Sequence, residues 1–300
     1  MNELIQKIED DLLLENKINL YLFRDDLNGP IKGNPHVTGN KWRKLKYNIQ
    51  EAKKIKSTTL LTFGGAFSNH IHATAAAGKA FGLKTIGLIR GEEHLPLNPT
   101  LQFAIENDMH IQYLDRTTYK KKSEDDFINQ LKIKFPNAYI LPEGGTNSLA
   151  IKGSQEITND ISIPYDCICC PCGTGGTLTG VIASSNPTTN ILGFSALKGN
   201  FLAGEIQQLL IKNQLNKSNK WSINSDYHFG GYAKIKPPLI HFIKNFKEKH
   251  NIQLDPVYTG KMMFGIFDLI EKKYFKEHTN IVAIHTGGQQ GIAGFKKHFI

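Results

Sequence analysis

The stretch that decides the fold is residues 167–177, which read Cys-Ile-Cys-Cys-Pro-Cys-Gly-Thr-Gly-Gly-Thr. The run 167–172 is apolar throughout, which is typical of a strand buried on both faces of a parallel sheet. A glycine-rich loop follows it, and the segment from Leu178 to Ser185 is predicted to be a helix. A buried strand, a glycine loop and a helix in this order indicate an α/β protein.

The loop at 173–177 has the composition of a phosphate-binding cradle. It offers successive backbone N–H groups, two threonine hydroxyls and a helix N-terminus, all of which suit an anion. A nucleotide P-loop requires a lysine before its final Ser or Thr, and a dinucleotide fingerprint requires a third glycine where Leu178 stands. The loop therefore predicts a phosphate that is not part of a nucleotide, with a plain tight turn as the alternative.

All four cysteines of the chain lie in the same stretch, at positions 167, 169, 170 and 172. Their overlapping C-x-x-C spacings leave zinc or redox chemistry as an alternative. No second cysteine pair exists elsewhere, so the pattern favours free thiols acting as small apolar side chains within a strand. Cysteines on one strand cannot form disulfides between distant segments of the chain, and this arrangement is typical of proteins in a reducing compartment.

Outward from this stretch, strands and helices alternate from residue 59 onward, which predicts open parallel sheets. The predicted strands are 59–63, 85–89, 110–114, 138–141, 166–171, 191–196, 221–225 and 280–284, and the predicted helices include 68–81, 99–107, 124–133, 147–160 and 178–185. Glycine-rich loops at 64–69, 143–147, 172–177 and 285–288 follow four of the strands. Ligands of open parallel sheets bind beyond the carboxyl ends of the strands, so these loops are the candidate site.

Length and composition bound the class of protein. A chain of 300 residues predicts about two domains, and 40% hydrophobic with 21% charged residues excludes a disordered chain. No apolar run approaches the ~20 residues of a membrane span, so no membrane association is expected. Acidic residues stand near the N-terminus where a signal peptide would be apolar. We therefore expect a cytoplasmic protein.

The net charge of +9 raises the question of a nucleic-acid partner. Only four of the 36 basic residues are arginines (Arg24, Arg43, Arg90 and Arg116), and the lysines are scattered. Specific phosphate and base recognition favours arginine with its planar fork. The charge is therefore interpreted as a solvated surface without nucleic-acid binding, and a basic nucleic-acid-binding protein is the alternative from a different class.

One lysine stands in an unusual context. Lys41 lies in Thr38-Gly39-Asn40-Lys41-Trp42-Arg43-Lys44-Leu45, a glycine-containing turn that leads into a predicted helix. A helix N-terminus and neighbouring cations disfavour an ammonium group, which makes the amine a better nucleophile. The alternative is an ordinary lysine on a helix surface.

Six segments in order resemble one family. They are 23–27 (FRDDL), 39–45 (GNKWRKL), 64–70 (GGAFSNH), 173–177 (GTGGT), 255–261 (DPVYTGK) and 285–288 (HTGG). The chain resembles, over nearly its whole length, the pyridoxal-phosphate-dependent 1-aminocyclopropane-1-carboxylate deaminase and D-cysteine desulfhydrase family, which has the tryptophan-synthase-β-like fold.

This resemblance implies two open, twisted, parallel-sheet α/β domains with pyridoxal 5′-phosphate in the cleft between them. It implies a large domain of residues 1–43 and 153–300, with a smaller domain of residues 44–152 inserted in it. A small amino acid is the implied substrate, and a homodimer is the implied assembly.

The resemblance also implies residue roles. Lys41 would bond the cofactor covalently and move the substrate's Cα proton. Asn69 would bind the cofactor's 3-hydroxyl, Ser68 would face the substrate carboxylate or the cofactor link, and Tyr258 would lie against the ring or act as a phenol acid/base. The phosphate group would bind Gly173, Thr174, Gly175, Gly176 and Thr177, and the substrate side would also include His70 and Tyr232.

Two positions bear on the choice within the family. The deaminases of this family carry Glu and Leu where this chain has Thr259 and Thr286, the desulfhydrase pattern. A carboxylate beside the pyridine nitrogen keeps it protonated and strengthens the ring as an electron sink, whereas a threonine hydroxyl does not. Opening a cyclopropane ring requires the stronger electron sink. Elimination of sulfide from Cβ requires a weaker one.

The expected reaction is therefore α,β-elimination of D-cysteine to pyruvate, ammonia and sulfide. An aminocyclopropane carboxylate deaminase and another D-amino-acid lyase of the family are the alternatives. Phe67 and His72 depart from the glutamine and arginine common in the family.

Overall fold

The computed structural model describes residues 4–31, 34–215 and 220–295, and the chain divides into two units. The outer unit consists of Met1–Asn28 and Ser154–Ile300, and the inserted unit is Gly29–Gly153. The described strands are β1 (Ile5–Ile8), β2 (Asn19–Phe23), β3 (Thr59–Gly64), β4 (Lys84–Arg90), β5 (Met109–Leu114), β6 (Ala138–Leu141), β7 (Cys167–Cys172), β8 (Asn190–Ser195), β9 (Trp221–Asn224) and β10 (Asn280–Ile284).

The helices fill most of the intervals between the strands. They are α1 (Asp11–Glu15), α2 (Gly39–Lys54), α3 (Asn69–Phe81), α4 (Pro99–Glu106), α5 (Arg116–Lys120), α6 (Asp125–Lys134), α7 (Ser148–Asp160), α8 (Gly176–Ser184), α9 (Leu202–Lys212), α10 (Pro237–His250) and α11 (Thr259–Glu271). Short 3-10 segments occur at Asp25–Leu27, Glu143–Gly145, Asp226–His228 and Gln289–Phe295.

The outer unit contains a six-stranded sheet in the order β1-β2-β10-β7-β8-β9. All neighbours are parallel except β1 and β2, which pair antiparallel. The central strand β7 is buried at every position. Cys167 and Cys169 face a core formed with α10 and α11, while Ile168, Cys170 and Cys172 face a core formed with α8 and α9. Burial on both faces explains why this strand is apolar without alternation.

The inserted unit contains a four-stranded parallel sheet in the order β5-β4-β3-β6. Two helices cover one of its cores. Leu45, Ile49 and Ala52 of α2 belong to the same buried cluster as three alanines of α3. The alanine-rich sequence of α3 lets the two helices approach closely, because a methyl group adds little thickness at the contact.

The strands and helices predicted by alternation are confirmed, and their observed ends differ from the predicted ones by at most two residues. Ser68 is the N-cap of α3. The cysteine run is confirmed as a buried strand carrying free thiols. The antiparallel pair of β1 and β2, which α1 connects, was not anticipated, because its strands are short and precede the region of regular alternation.

The inserted unit begins earlier in the chain than expected. The inserted unit begins at Gly29, whereas the resemblance implied a start at residue 44. The reason is packing, because the buried face of α2 completes the core of the inserted unit. At the other end of this unit, Gly153 lies so close to the carbonyl of Arg43 that an added Cβ would stand 1.9 Å from its oxygen. Lys41 therefore belongs to the inserted unit.

Within the described ranges, none of the helices combines the length and the apolar character that crossing a membrane requires.

Candidate functional site

The first turn of α2 carries Lys41. The helix begins at Gly39, whose φ of 61° lies in the left-handed region that favours glycine. Thr38 is the N-cap residue, but its hydroxyl makes no capping hydrogen bond. The Lys41 side chain is half-buried, and within the described chain its amine has no hydrogen-bond partner. Burial lowers the pKa of Lys41 to about 8. The lowered pKa agrees with the sequence interpretation, but its cause is desolvation instead of the neighbouring cations.

A buried polar cluster lies close to this lysine in the inserted unit. Lys44 is 3% exposed, and its Nζ donates to the Gly144 carbonyl at 3.2 Å and to Thr146 Oγ1 at 3.1 Å. His70 Nε2 lies 2.8 Å from Thr62 Oγ1, which itself donates to the Leu141 carbonyl. Because the Thr62 hydrogen is used, His70 is the donor in this pair and is neutral with its proton on Nε2.

The pKa of His70 is well below its usual value because the ring is buried and because Lys41 and Lys44 are positively charged. Its Nδ1 is buried and has no hydrogen-bond partner within the described ranges. The neutral ring therefore presents an unused acceptor close to two lysine side chains.

Ser68 and Asn69 begin the neighbouring helix α3. Ser68 Oγ accepts hydrogen bonds from the backbone N–H groups of His70 at 3.2 Å and Ile71 at 3.3 Å. These contacts occupy its lone pairs, so the hydroxyl hydrogen remains to be donated to a ligand. Asn69 is half-buried, and its side-chain amide forms no hydrogen bond to the described residues.

The phosphate-loop candidate connects β7 to α8 in the outer unit. Gly175 is the N-cap of α8 with φ of 78°, and it provides no side chain to satisfy the first N–H groups of the helix. Gly175, Gly176 and Thr177 are buried, whereas Thr174 is exposed. A helix start without a capping side chain is a place where an anion can bind.

Tyr258 packs directly against the start of this loop. A Cβ added at Gly173 would lie 3.1 Å from the Tyr258 ring and from its hydroxyl, so a side chain there would displace Tyr258 by a few tenths of an ångström. The Tyr232 ring meets the Tyr258 ring edge-on, with centroids 6.1 Å apart. The outer unit therefore brings the glycine loop and both predicted tyrosines together.

Two threonines of this unit differ in their hydrogen bonding. Thr259 is fully buried, and its hydroxyl donates to Asp255 Oδ2 at 2.6 Å and accepts from the Asp255 N–H at 2.9 Å. Thr286 follows β10, and its hydroxyl forms no hydrogen bond within the described part of the chain. Of the two, only Thr286 has a hydroxyl available for a ligand.

Each unit thus assembles part of the predicted set. The inserted unit holds Lys41, Ser68, Asn69 and His70, and the outer unit holds the glycine loop, both tyrosines and both threonines. Sequence reasoning missed the acceptor role of Asp255, whose carboxylate accepts from the N–H groups of Val257, Tyr258 and Thr259. The available signal was the Asp-Pro dipeptide at 255–256, which favours a turn.

His72, the departure from the family arginine, is a structural residue. Its Nε2 lies 3.0 Å from His36 Nδ1, and its ring stacks on Phe103 with centroids 3.8 Å apart. Burial, with a further contribution from His36, lowers the pKa of His72 to about 3. The residue is therefore neutral at ordinary pH and cannot supply the charge of an arginine. Phe67, the other departure, is 46% exposed.

Comparison with known proteins adds sequence and structural relatives. The family described as "Pyridoxal-phosphate dependent enzyme" matches residues 13–287. A putative 1-aminocyclopropane-1-carboxylate deaminase of Pyrococcus abyssi is 31% identical over 294 residues, with 92% of this chain and 86% of the relative covered. A D-cysteine desulfhydrase of Klebsiella pneumoniae is 26% identical, with 99% of this chain and 93% of the relative covered.

Solved structures agree with these matches. The crystal structure of an ACC deaminase homologue superimposes with a TM-score of 0.83 at 27% identity, covering 98% of this chain and 92% of the other. A hydrogen sulfide-producing enzyme from Fusobacterium nucleatum has a TM-score of 0.67 at 16% identity over 96% of this chain and 95% of the other, a likeness of fold alone.

Proposed function

Because the chain belongs to the pyridoxal-phosphate-dependent enzyme family, we propose that it catalyses α,β-elimination of D-cysteine. With one water consumed, D-cysteine gives pyruvate, ammonia and hydrogen sulfide. The observation that carries the choice of reaction is the pair of uncharged threonines, Thr259 and Thr286. In the proposal, no carboxylate side chain pairs with the pyridine nitrogen.

The residues present fit pyridoxal phosphate in three respects. The uncapped start of α8 suits its phosphate, the unpartnered amine of Lys41 suits its aldehyde, and the Asn69 amide suits its 3-hydroxyl. When bound, the cofactor supplies an electron-withdrawing ring that stabilises negative charge at the substrate Cα.

Lys41 performs two tasks in this proposal. Its amine bonds the cofactor when the enzyme is at rest, and it removes the Cα proton when the substrate has taken its place. Both tasks require the neutral amine, and a pKa of about 8 leaves a useful neutral fraction near pH 7.5. An exposed lysine with an ordinary pKa would be neutral in far less than one molecule per hundred at that pH.

Ser68 binds the substrate carboxylate. Its hydroxyl already accepts two backbone hydrogen bonds, so it acts as a donor and not as a base. The start of α3 adds a favourable field for the carboxylate. His70 contributes a neutral acceptor on the same side, and its tautomer is set by Thr62.

Tyr258 and Tyr232 serve the leaving group. Tyr258 lies beside Gly173, and Tyr232 meets its ring edge-on. A phenol at this place protonates the departing sulfur, so that hydrosulfide leaves in preference to the more basic sulfide dianion.

Thr286 serves the pyridine nitrogen. Of the two threonines, it has the hydroxyl that no described residue uses, and it can bond the nitrogen without giving it a full positive charge. This weaker activation is sufficient to expel a good leaving group from Cβ, and it disfavours opening of a cyclopropane ring.

The purified protein tests the proposal directly. We expect visible absorbance from bound cofactor that Lys41→Ala abolishes, and release of 2-oxo acid with sulfide from D-cysteine. L-cysteine and 1-aminocyclopropane-1-carboxylate are the matched comparison substrates. If 1-aminocyclopropane-1-carboxylate were the only one of these substrates turned over, the choice of reaction from Thr259 and Thr286 would be wrong. The deaminase reaction would then replace it.

The assembly and the compartment complete the proposal. The resemblance supports a homodimer, and the acidic residues near the N-terminus support a place in the cytoplasm. Sedimentation of the holoenzyme tests the assembly. A monomer at micromolar concentration would contradict it.

A further inference from the structure

Lys261 is a buried lysine to which the proposed reaction assigns no role. It is the third residue of α11 and is 1% exposed. Its Nζ donates to the carbonyls of His228 and Gly231, both at 2.8 Å. Within the described ranges no carboxylate forms an ion pair with it. A buried ammonium that binds two carbonyls of one loop ties that loop to the helix.

The tied loop has an unusual backbone. Phe229, Gly230 and Gly231 have φ angles of 53°, 103° and 113°, and Ala233 has a φ of 55°. Left-handed conformations at Phe229 and Ala233 cost energy, so contacts from outside the loop must hold them. Lys261 supplies two such contacts from α11.

This loop leads directly into Tyr232, and α11 begins directly after Tyr258. Tyr232 and Tyr258 meet edge-on with centroids 6.1 Å apart. The first turn of α11 therefore contributes to the position of both rings. Tyr258 directly precedes this turn, and Lys261 within it donates to the carbonyl of Gly231, the residue before Tyr232. Gly260 allows this turn to pack closely, because an added Cβ there would lie 2.7 Å from the Asp255 carbonyl oxygen.

We propose that Lys261 is a positioning residue that holds the 228–231 loop so that Tyr232 stands against Tyr258 at the substrate. This inference rests on the proposed function, because it requires Tyr232 to act on the substrate. Loss of a proton leaves the amine two N–H groups, which are enough for its two carbonyls. The tie therefore persists on both sides of the pKa of Lys261, which burial lowers to about 8.

A double-mutant cycle on the holoenzyme tests the role. The variants are Lys261→Met, Tyr232→Phe and their combination, with Lys212→Met as a matched lysine control at the exposed end of α9. We expect Lys261→Met to lower kcat/KM for D-cysteine about tenfold when Tyr232 is present and less than about twofold when it is Phe. Equal losses in both backgrounds would show a purely structural role and overturn the inference.

A second measurement does not depend on the reaction. Trypsin cleaves after lysine, and Lys234 is an exposed residue just beyond the loop. We expect cleavage after Lys234 in the apoprotein to be at least about tenfold faster in Lys261→Met than in Lys212→Met. Unchanged cleavage would contradict the tie between helix and loop.

The two measurements separate the two proposals. Faster cleavage in a protein that does not turn over D-cysteine would contradict the proposed function while supporting the loop contact. If Lys261→Met does not fold, Lys261→Gln is the second variant. Its side chain is one atom shorter than that of lysine, so its amide reaches at most one of the two carbonyls, and its cleavage rate should lie between those of the wild type and a fully released loop. Wild-type cleavage in Lys261→Gln would count against the inference.

Discussion

Lys41 and Lys261 occupy equivalent places in two helices, yet their surroundings differ. Each is the third residue of its helix, and burial lowers the pKa of each to about 8. Lys261 donates to two carbonyls, whereas Lys41 has no hydrogen-bond partner within the described residues. A lowered pKa alone therefore does not identify a nucleophilic lysine, and the hydrogen bonding of the amine separates the two roles.

The same contrast separates the two threonines. Asp255 uses both hydrogen-bonding functions of the Thr259 hydroxyl, while the Thr286 hydroxyl has no described partner. A satisfied polar group in the interior stabilises local structure, and an unsatisfied one next to a ligand site is available for binding. The four residues together allow this distinction to be tested by pairs of variants.

The largest effect is expected at Lys41. Lys41→Ala should abolish the visible absorbance of the cofactor and lower kcat by at least about 10³-fold, because both the covalent link and the proton acceptor are lost. Lys54→Ala is the control on the same helix, since Lys54 is largely exposed. Absorption spectroscopy and turnover of D-cysteine check both variants. Retention of the absorbance in Lys41→Ala, or its loss in Lys261→Met, would contradict the contrast between the lysines.

Substitution of Thr286 should affect mainly activity, and substitution of Thr259 should affect mainly stability. Thr286→Val should lower kcat about tenfold with little change in thermal stability, because it removes the proposed hydrogen bond to the cofactor. Thr259→Val should instead lower the free energy of unfolding by about 1–3 kcal/mol, because the buried Asp255 loses a donor. Kinetics and chemical denaturation measure the two effects. The opposite assignment, with activity lost at Thr259 and stability at Thr286, would reverse the interpretation.

The pKa of Lys41 predicts how cofactor uptake depends on pH. With a pKa of about 8, the neutral fraction of the amine rises about tenfold between pH 7 and pH 9. A lysine with its usual pKa would show about a hundredfold rise over the same range. Stopped-flow absorbance of apoprotein mixed with pyridoxal phosphate gives the ratio of the reaction rates at pH 9 and pH 7. The control is Nα-acetyl-lysine amide, which keeps a free ε-amine. A hundredfold rise in the protein would show that Lys41 is not desolvated.

The same lowered pKa affects stability with a defined sign. Between about pH 8 and its unfolded value, the unfolded chain keeps a proton on Lys41 that the folded chain has lost. The stability of the apoprotein should therefore rise with pH in that window, and the contribution is lost below it.

The smallest effect is expected at helix caps. Ser68 and Asn98 both cap helices of the inserted unit through two backbone N–H groups. Replacing either by Ala should lower the free energy of unfolding by about 1 kcal/mol. Only Ser68→Ala should also raise KM for D-cysteine, because its hydroxyl hydrogen is available to the substrate. A similar rise in Asn98→Ala would assign the KM effect to general loosening of the unit.

The sequence predicted the parts of the fold that follow from local patterns. The apolar run at 167–172 and the alanine-rich helix at 68–81 each depend on residues close together in the chain, and each is found where expected. The cause of the Lys41 pKa was beyond reach, because desolvation depends on side chains that surround the amine only after folding. The partners of Lys261 are backbone carbonyls far from it in the sequence, and no spacing rule supplies them. The contact between Thr259 and Asp255 is local, but which atoms pair depends on how the turn between them folds.

The start of the inserted unit shows the same limit. The resemblance implied that residues 39–43 belong to the large domain, but the apolar side of α2 packs with α3. A motif conveys chemistry, and it does not state which core its helix completes. Assignment to a unit depends on contacts with residues that lie beyond position 60.

The pairing of β2 with β10 sets the order in which the chain can be completed during synthesis. Leu20 pairs with Ile281, so β2, the second strand to be synthesised, cannot pair on this side until β10, the last described strand, has been made. Its other neighbour is only the short strand β1, and a two-stranded hairpin is not stable alone. The inserted sheet needs nothing beyond residue 141 for its strands, so it can form while the ribosome is still producing the outer unit. A chain interrupted before residue 280 would therefore expose the edge of β2 to other proteins in the cell.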